Sequence, residues 1–310
     1  MKIVITNRLP QEGIEPYKKQ FEIIQPEEKS FDKKVLLEEL ATADILLSIF
    51  SYKIDKEIID AAPNLKLIAN YGVGFNNVDI VYARSKGIPV TNTPISVVEP
   101  TAELAFGLMI DIARKITLND KLTRKKAVGW GLLDNMGTTL YGKKLGIFGM
   151  GNVGRAVARR AVAFGMKVQY HNRRKVQNFD EAEYVSIDEL LQNSDFLLLS
   201  APLTNETFHF INKSSLQKMK KTAILVNIAR GPLVNENDLV DALKQQIIAG
   251  AALDVYENEP IINEELMNID NVVLSPHKGT CTIDTRVAMT QEAFKNIINF
   301  LKGDEIALVN

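Results

Sequence analysis

The chain has 310 residues, 46% of them apolar and 24% charged, with a formal net charge of −1. That length suits two domains of ordinary size, and the near-neutral balance argues against nucleic acid or an anionic membrane surface as the main partner. No apolar run approaches the ~20 residues of a membrane span, and the single cysteine, Cys281, excludes an internal disulfide and fits a reducing compartment.

The start, Met1-Lys2-Ile3-Val4-Ile5-Thr6, reads as a strand rather than a signal peptide, so a cytoplasmic protein is expected. Further strand patterns fall at 21–24, 44–48, 65–69 and 88–91, with helical patterns between them. One of these helices, 33–41, places Val35, Leu36, Leu37 and Leu40 on its apolar side. Such alternation implies a parallel sheet with helices on its faces. After the fourth strand comes Asn70-Tyr71-Gly72-Val73-Gly74-Phe75-Asn76-Asn77-Val78-Asp79, a Gly-rich loop at a strand's carboxyl end. Its amides suit a carboxylate; a plain turn is the alternative. Val97-Val98-Glu99-Pro100 reads as a hinge, followed by a helix that opens at Pro100 or Thr101 and runs through Ala113. Residues 121–139 hold the only tryptophan, Trp130, and show no clear periodicity, as in a lid or an arm packing on another subunit. A second α/β stretch follows, with strands at 144–148, 167–170, 196–200, 223–227, 250–254 and 271–274 and helices at 188–191 and 236–245. The final helix, 285–301, carries Val287, Met289, Phe294, Ile297, Ile298 and Leu301 and is expected to cross back onto the first domain. The predicted domains are 1–98 with 285–310, and 99–284. No metal is expected.

The most specific stretch is Gly149-Met150-Gly151-Asn152-Val153-Gly154, a G-x-G-x-x-G between a strand pattern and an alanine-rich helix, with a second strand beyond. Strand, glycine turn, helix and strand make a dinucleotide-binding unit. Gly149 permits the tight turn, Gly151 a close approach of backbone N–H groups to a pyrophosphate, and Gly154 close helix–strand packing. Asn152 and Val153 then start a helix whose free N–H groups and dipole suit the diphosphate. At the end of the second strand an NAD site expects Asp or Glu. Here stand Asn172, Arg173 and Arg174. Asn172 does not repel a 2′-phosphate, and either guanidinium pairs well with one, so NADP(H) is preferred; a solvated basic turn beside an NAD(H) site is the alternative.

Four motifs follow at strand ends: Ser200-Ala201-Pro202-Leu203-Thr204, Asn227-Ile228-Ala229-Arg230-Gly231, Asp254-Val255-Tyr256-Glu257-Asn258-Glu259-Pro260 and Ser275-Pro276-His277-Lys278-Gly279-Thr280. Hydride transfer to a 2-keto acid needs a cation to hold the carboxylate and polarise the carbonyl, and an acid to protonate the nascent alkoxide. Arg230 offers a bidentate fork for the first. His277 suits the second, since an imidazole carries a proton near neutrality, and Glu259 beside it favours the imidazolium.

At these residues the chain resembles the D-isomer-specific 2-hydroxyacid dehydrogenases, over nearly its whole length. The similarity runs from the 72–79 loop through Thr101-Ala102-Glu103-Leu104-Ala105-Phe106 to Gly279-Thr280 and Thr285-Arg286. The resemblance implies a catalytic triad of Arg230, Glu259 and His277, a nicotinamide contact at Asp254, a substrate-carboxylate loop at Val73 and Gly74, and a cofactor contact at Thr101. Pro202, Thr207, Ile228, Ala229 and Gly279 complete the expected cofactor contacts, with Arg230 and His277 also facing substrate. It also implies a flavodoxin-like substrate domain and a Rossmann dinucleotide domain with a cleft between them, usually as a dimer. Among subfamilies the chain is similar to the glyoxylate, hydroxypyruvate and 2-ketogluconate reductases. Lys278 departs from the family pattern, where an apolar residue is usual; Cys281 stands where alanine is common and is expected as a buried small residue. His209 reads as structural and His171 as part of the cofactor rim. The expected activity is reduction of a short 2-oxo acid to the D-2-hydroxy acid. An NAD(P)H-sensing regulator or corepressor on the same fold is the competing reading, and a methyltransferase is disfavoured because it has no need of Arg230, Glu259 and His277 together. Residues near Phe50, Phe75 and the Trp130 loop are candidates for side-chain selectivity.

Overall fold

The computed structural model describes residues 1–49, 52–306 and 308–310, so Phe50 lies outside the described residues. The chain divides into two units, Met1–Val97 with Thr280–Asn310, and Val98–Gly279.

In the first unit, β1 (Lys2–Ile5), β2 (Glu22–Ile24), β3 (Ile45–Ile49), β4 (Leu67–Tyr71) and β5 (Val90–Thr91) form a sheet in the order β2-β1-β3-β4-β5. All four pairings are parallel. This is the flavodoxin-like order. Both faces are covered, so the strands are apolar throughout and alternate residues feed two cores. Ile3, Ile5, Ile45, Leu47 and Leu67 share one core with Met289, Ala293, Phe294 and Ile297 of the Ile283–Lys302 helix. Val4, Leu46 and Ile68 share the other with Leu36, Leu40, Ile58 and Ile59. Tyr17 stacks on Phe294 at a centroid separation of 4.2 Å. Burying a side chain such as Phe294 stabilises the unit by roughly 1.5–3 kcal/mol.

Three expectations are corrected here. Val35 is exposed, because its helix turns Leu36 and Leu40, with Leu37 partly buried beside them, into the core. Leu301 is exposed near the end of the last helix, where Ala293 rather than Leu301 joins the core stripe. Cys281 is exposed, because it lies just before the helix cap at Thr282 rather than in the packed face.

In the second unit, β6 (Lys144–Phe148), β7 (Lys167–His171), β8 (Glu183–Tyr184), β9 (Phe196–Leu199), β10 (Ile224–Asn227), β11 (Gly250–Leu253) and β12 (Val272–Leu274) form an all-parallel sheet. Their order is β12-β11-β10-β9-β6-β7-β8. Counted from β6, this is the Rossmann 3-2-1-4-5-6 order with a seventh strand added at one edge. The order reverses between β6 and β9, and the glycine turn leaves β6 at that switch point. One face packs on the Val98–Arg114 and Asn152–Ala163 helices, through Ala105, Met109, Ala156 and Val157. The other packs on the Ile187–Asn193, Lys213–Lys218 and Glu236–Lys244 helices, through Leu190, Leu216, Leu239 and Leu243.

The Val98–Arg114 helix takes Val98, Glu99 and Pro100 into its first turn, so the stretch read as a hinge is already helical. Proline is tolerated there because first-turn N–H groups have no intrahelical partner. Within the segment expected to lack periodicity, an Ile116–Arg124 helix covers the first residues. Beyond it Trp130 and Leu132 are 93% and 95% exposed. Among the described residues, no helix is long and apolar enough to cross a membrane.

Candidate active site

At the turn after β6, Gly149 has φ +102, and a Cβ there would stand 2.4 Å from the Ala201 nitrogen. Only glycine satisfies both conditions. The turn is tied down by the Gly149 N–H, which donates to the His171 carbonyl at 3.0 Å, and by Ser200 Oγ, which donates to the Gly149 carbonyl at 2.5 Å. A Cβ on Gly154 would meet that same carbonyl at 2.4 Å, so helix and turn are in close contact. Gly151 faces open space and is the N-cap of the Asn152–Ala163 helix, with no side chain capping it. An uncapped helix start beside an open glycine is a cradle for a diphosphate, and the residues fit a dinucleotide.

Asn172 follows β7, with its Oδ1 accepting the Met150 N–H at 2.6 Å. Its side chain therefore spans from β7 to the glycine turn and carries no charge. Arg173 and Arg174 follow, both exposed. His171 is held by its Nδ1 at 2.8 Å from the Val185 carbonyl and lies between the rings of Phe148 and Tyr184. After β9, Pro202 is exposed, and Thr207 donates from Oγ1 to the Pro202 carbonyl at 2.8 Å, closing the 202–207 turn.

The other strand ends build a cluster. Glu259 accepts the Tyr256 N–H through Oε1 at 3.0 Å and pairs through Oε2 with Nδ1 of His277 at 2.8 Å. Burial alone would raise the Glu259 carboxyl, but His277, the Tyr256 N–H and Arg230 outweigh it and hold the group below the usual glutamate range. Burial lowers the proton affinity of the Arg230 guanidinium, and the Glu259 charge opposes that fall; arginine stays cationic through such changes. Arg230 Nη1 donates to the Ala229 carbonyl at 2.5 Å. Ile228 and Ala229, just before it, are buried. Asp254 is buried and accepts three bonds: from Ser275 Oγ at 2.6 Å, from the Lys278 N–H at 2.7 Å and from the Gly279 N–H at 2.9 Å. The His277 N–H donates to the Asp254 carbonyl at 2.8 Å, and His277 has φ +52. A side chain in that sparsely populated conformation stays there only where its surroundings hold it. A Cβ on Gly279 would lie 3.3 Å from both Asp254 Oδ2 and Thr101 Cγ2, so Thr101, Asp254 and Gly279 adjoin.

The sequence model of the D-isomer specific 2-hydroxyacid dehydrogenase NAD binding domain matches residues 106–279. The chain belongs to this family. Glyoxylate reductase of Pyrococcus horikoshii is 43% identical over 98% of the chain and 93% of its own length. A solved protein from Thermus thermophilus superposes with a TM-score of 0.93 at 36% identity, covering 100% of both chains. The NADPH-dependent glyoxylate/hydroxypyruvate reductase of Sinorhizobium meliloti, solved with NADP and malonate, gives 0.88 at 30% identity over 99% of this chain and 95% of that one. The protein is an NAD(P)-dependent D-2-hydroxyacid dehydrogenase.

In the first unit of this dehydrogenase, taken by itself, a loop follows β4. Asn92 Nδ2 donates to the Val73 carbonyl at 2.8 Å and Asn70 Nδ2 to the Gly74 carbonyl at 2.9 Å. A trans peptide points its N–H opposite its carbonyl, so the Gly74 and Phe75 N–H groups are turned away from the asparagines. Asn77 secures the loop by donating to the Asn70 Oδ1 at 3.1 Å. Asn70 and Asn77 belong to the loop singled out in the sequence, whereas Asn92, just after β5, was not named there. The Asp254 carboxylate, expected at the nicotinamide, also organises the loop that carries His277. His209 pairs through Nε2 with Glu257 Oε1 at 2.6 Å. Lys278 is exposed. Among the described residues no cluster of metal-ligand type occurs.

Proposed function

We propose that the enzyme reduces a short 2-oxo acid of the glyoxylate or hydroxypyruvate type to the D-2-hydroxy acid, with NADPH preferred over NADH. The pairing of His277 with Glu259 beside Arg230 is the observation that carries this reading. A reduced nicotinamide held at this site would supply the hydride for the carbonyl carbon. Arg230 holds the substrate and polarises the carbonyl through its cationic fork. The His277 imidazolium gives its proton to the oxygen as negative charge develops there. Its Nδ1 is committed to Glu259, so Nε2 delivers the proton. Glu259 stabilises the imidazolium before transfer and fixes the ring's orientation. In the first unit, assigned to substrate binding, the outward N–H groups of the Val73–Gly74 loop suit a carboxylate.

Gly149, Gly151, Asn152, Val153 and Gly154 are assigned to the dinucleotide diphosphate, and Thr101, Pro202, Thr207, Ile228, Ala229, Asp254 and Gly279 to the rest of the cofactor. Neutral Asn172 with exposed Arg173 and Arg174 favours a 2′-phosphate, in line with the NADP-bound relative from Sinorhizobium meliloti. The exposed Trp130, Leu132, Leu133 and Met136 support an arm that packs on a second subunit, as apolar clusters on a surface mark contact sites.

The test is oxidation of NADPH and of NADH, followed by absorbance, against glyoxylate, hydroxypyruvate, pyruvate and 2-ketogluconate. Turnover with NADPH well above NADH on glyoxylate or hydroxypyruvate is the expected result. NADH-only turnover removes the cofactor preference, and cofactor binding without turnover removes the substrate assignment.

A further inference from the structure

Next to the His277–Glu259 pair lies a second acid–histidine network to which the proposed reaction assigns no role. Glu236 is the first residue of the Glu236–Lys244 helix and is 5% exposed. Its Oε1 accepts the Glu257 N–H at 2.7 Å, while its own N–H donates to Glu257 Oε2 at 3.1 Å. The two glutamates thus hold each other, backbone to side chain, in both directions. The remaining Glu257 oxygen, Oε1, faces His209 Nε2 at 2.6 Å. His209 is itself fixed: its N–H donates to the Pro232 carbonyl at 2.9 Å, and its carbonyl accepts from Asn212 Nδ2 at 2.8 Å.

A glutamate in the first turn of a helix is favourable through the helix dipole, which alone accounts for an exposed acid at this position. It does not account for a buried one. Burial raises the Glu236 carboxyl, and the neighbouring charges of Glu257 and Glu259 raise it further, against the Glu257 N–H that lowers it. Placing three carboxylates together costs stability unless the arrangement holds something. What it holds is the 256–259 segment. Tyr256 gives its N–H to Glu259 Oε1, Glu257 gives its N–H to Glu236, and Glu259 reaches His277. On the facing side, a Cβ at Gly231 would stand 1.8 Å from the Tyr256 carbonyl carbon, so the residue after Arg230 is pressed against the same peptide. The segment carrying Arg230 and the segment carrying Glu259 are joined at Gly231 and again at Glu236.

We propose that Glu236, locked to Glu257 and braced by His209, is a positioning residue that sets Glu259 against His277. This rests on the catalytic reading of that pair. A carboxylate displaced from its partner by even ~1 Å loses most of a charge-assisted hydrogen bond, so the clamp acts on the proton donor without touching substrate.

The experiment compares Glu236→Ala, Glu236→Gln, Glu259→Gln and the double variant Glu236→Ala/Glu259→Gln. It measures kcat, KM, the pH profile of kcat/KM and dinucleotide affinity by fluorescence, with folding monitored by circular dichroism. Glu236→Ala is expected to lower kcat about tenfold or more with KM and cofactor affinity little changed, and to move the alkaline limb of the profile to lower pH, as Glu259→Gln does. Glu236→Gln, which keeps an oxygen for the Glu257 N–H, is expected to restore most of the rate, and also keeps the test open should the alanine variant not fold. In the Glu259→Gln background, Glu236→Ala is expected to cost little more. A folded Glu236→Ala variant with unchanged kcat and pH profile overturns the clamp, as does a Glu236→Gln variant that loses rate without a change in profile. If Glu259→Gln itself has full activity at every pH, the catalytic assignment fails rather than the clamp alone.

Discussion

Nδ1 of His277 stands 2.8 Å from Glu259 Oε2, while the other oxygen of that carboxylate accepts the Tyr256 N–H at 3.0 Å. Glu259 is therefore anchored to the backbone as well as to the imidazole, and its negative charge faces the ring. Replacing it with glutamine keeps the shape and removes the charge. Glu259→Gln is expected to lower kcat/KM for reduction by about 10²-fold at neutral pH and to move the alkaline limb to lower pH, since the imidazolium loses its partner. An unshifted limb would falsify the pairing as the source of the proton.

Gly149 allows a different kind of test, because its φ of +102 and its contact with Ala201 both forbid a side chain. Gly149→Ala is expected to destabilise the second unit by roughly 1–3 kcal/mol through backbone strain, with a further loss of dinucleotide affinity as the turn opens. Urea unfolding and cofactor titration measure the two effects separately. A variant with wild-type values in both would show that the turn tolerates a Cβ.

For the cofactor, the double substitution Arg173→Ala/Arg174→Ala is expected to raise Kd for NADPH about tenfold or more while NADH changes little. A hydrogen bond to a charged group is worth roughly 1.5–3 kcal/mol. Equal losses for both cofactors would refute phosphate pairing at this turn.

Asp254 accepts from Ser275, Lys278 and Gly279, and an amide cannot accept at both of its positions. Asp254→Asn is expected to cost about 1–3 kcal/mol in stability and to lower kcat by misplacing His277. If melting and rate are both retained, the 275–279 loop is held by something else.

Glu236 makes the last prediction one about pH. Its folded carboxyl is raised above the ordinary glutamate value. The stability it contributes is thus full below the unfolded pKa of ~4.3 and is lost as pH rises through the folded one. Glu236→Gln is expected to remove this decline, so that the stability of the variant relative to the wild-type protein, measured by denaturant, increases from about pH 4 to 8. Parallel curves for the two proteins would contradict the raised carboxyl.

Much of this was legible in the residues. The G-x-G-x-x-G turn between strand and helix placed the dinucleotide unit because glycine geometry is dictated locally, by φ and by close approach. The strand-end motifs carrying Arg230, Glu259 and His277 were legible because a parallel sheet brings its carboxyl ends together whatever the loops between them do. The two-residue β8 was not, having no apolar alternation to announce it. Nor was the joining of Glu236 to Glu257, since a glutamate opening a helix looks the same in sequence whether it is solvated or buried. Val35 was misplaced because three adjacent apolar residues do not reveal which of them faces the sheet. The roles of Asp254 and His209 depend on partners 21 to 48 residues away, a distance over which sequence pattern carries no register.

The first unit is built from Met1–Val97 and Thr280–Asn310, and one face of its sheet is closed by Met289, Ala293, Phe294 and Ile297. The helix bearing those residues is synthesised only after the whole 98–279 segment. Until then Ile3, Ile5, Ile45 and Leu47 have no such cover, while the continuous 98–279 segment can complete its own core first. At roughly 5–20 residues per second, synthesis of the intervening segment leaves that apolar face waiting on the order of ten seconds or more. The unit begun first is thus completed only after the 98–279 segment has been made, and during that interval its apolar face is open to chaperones and to aggregation.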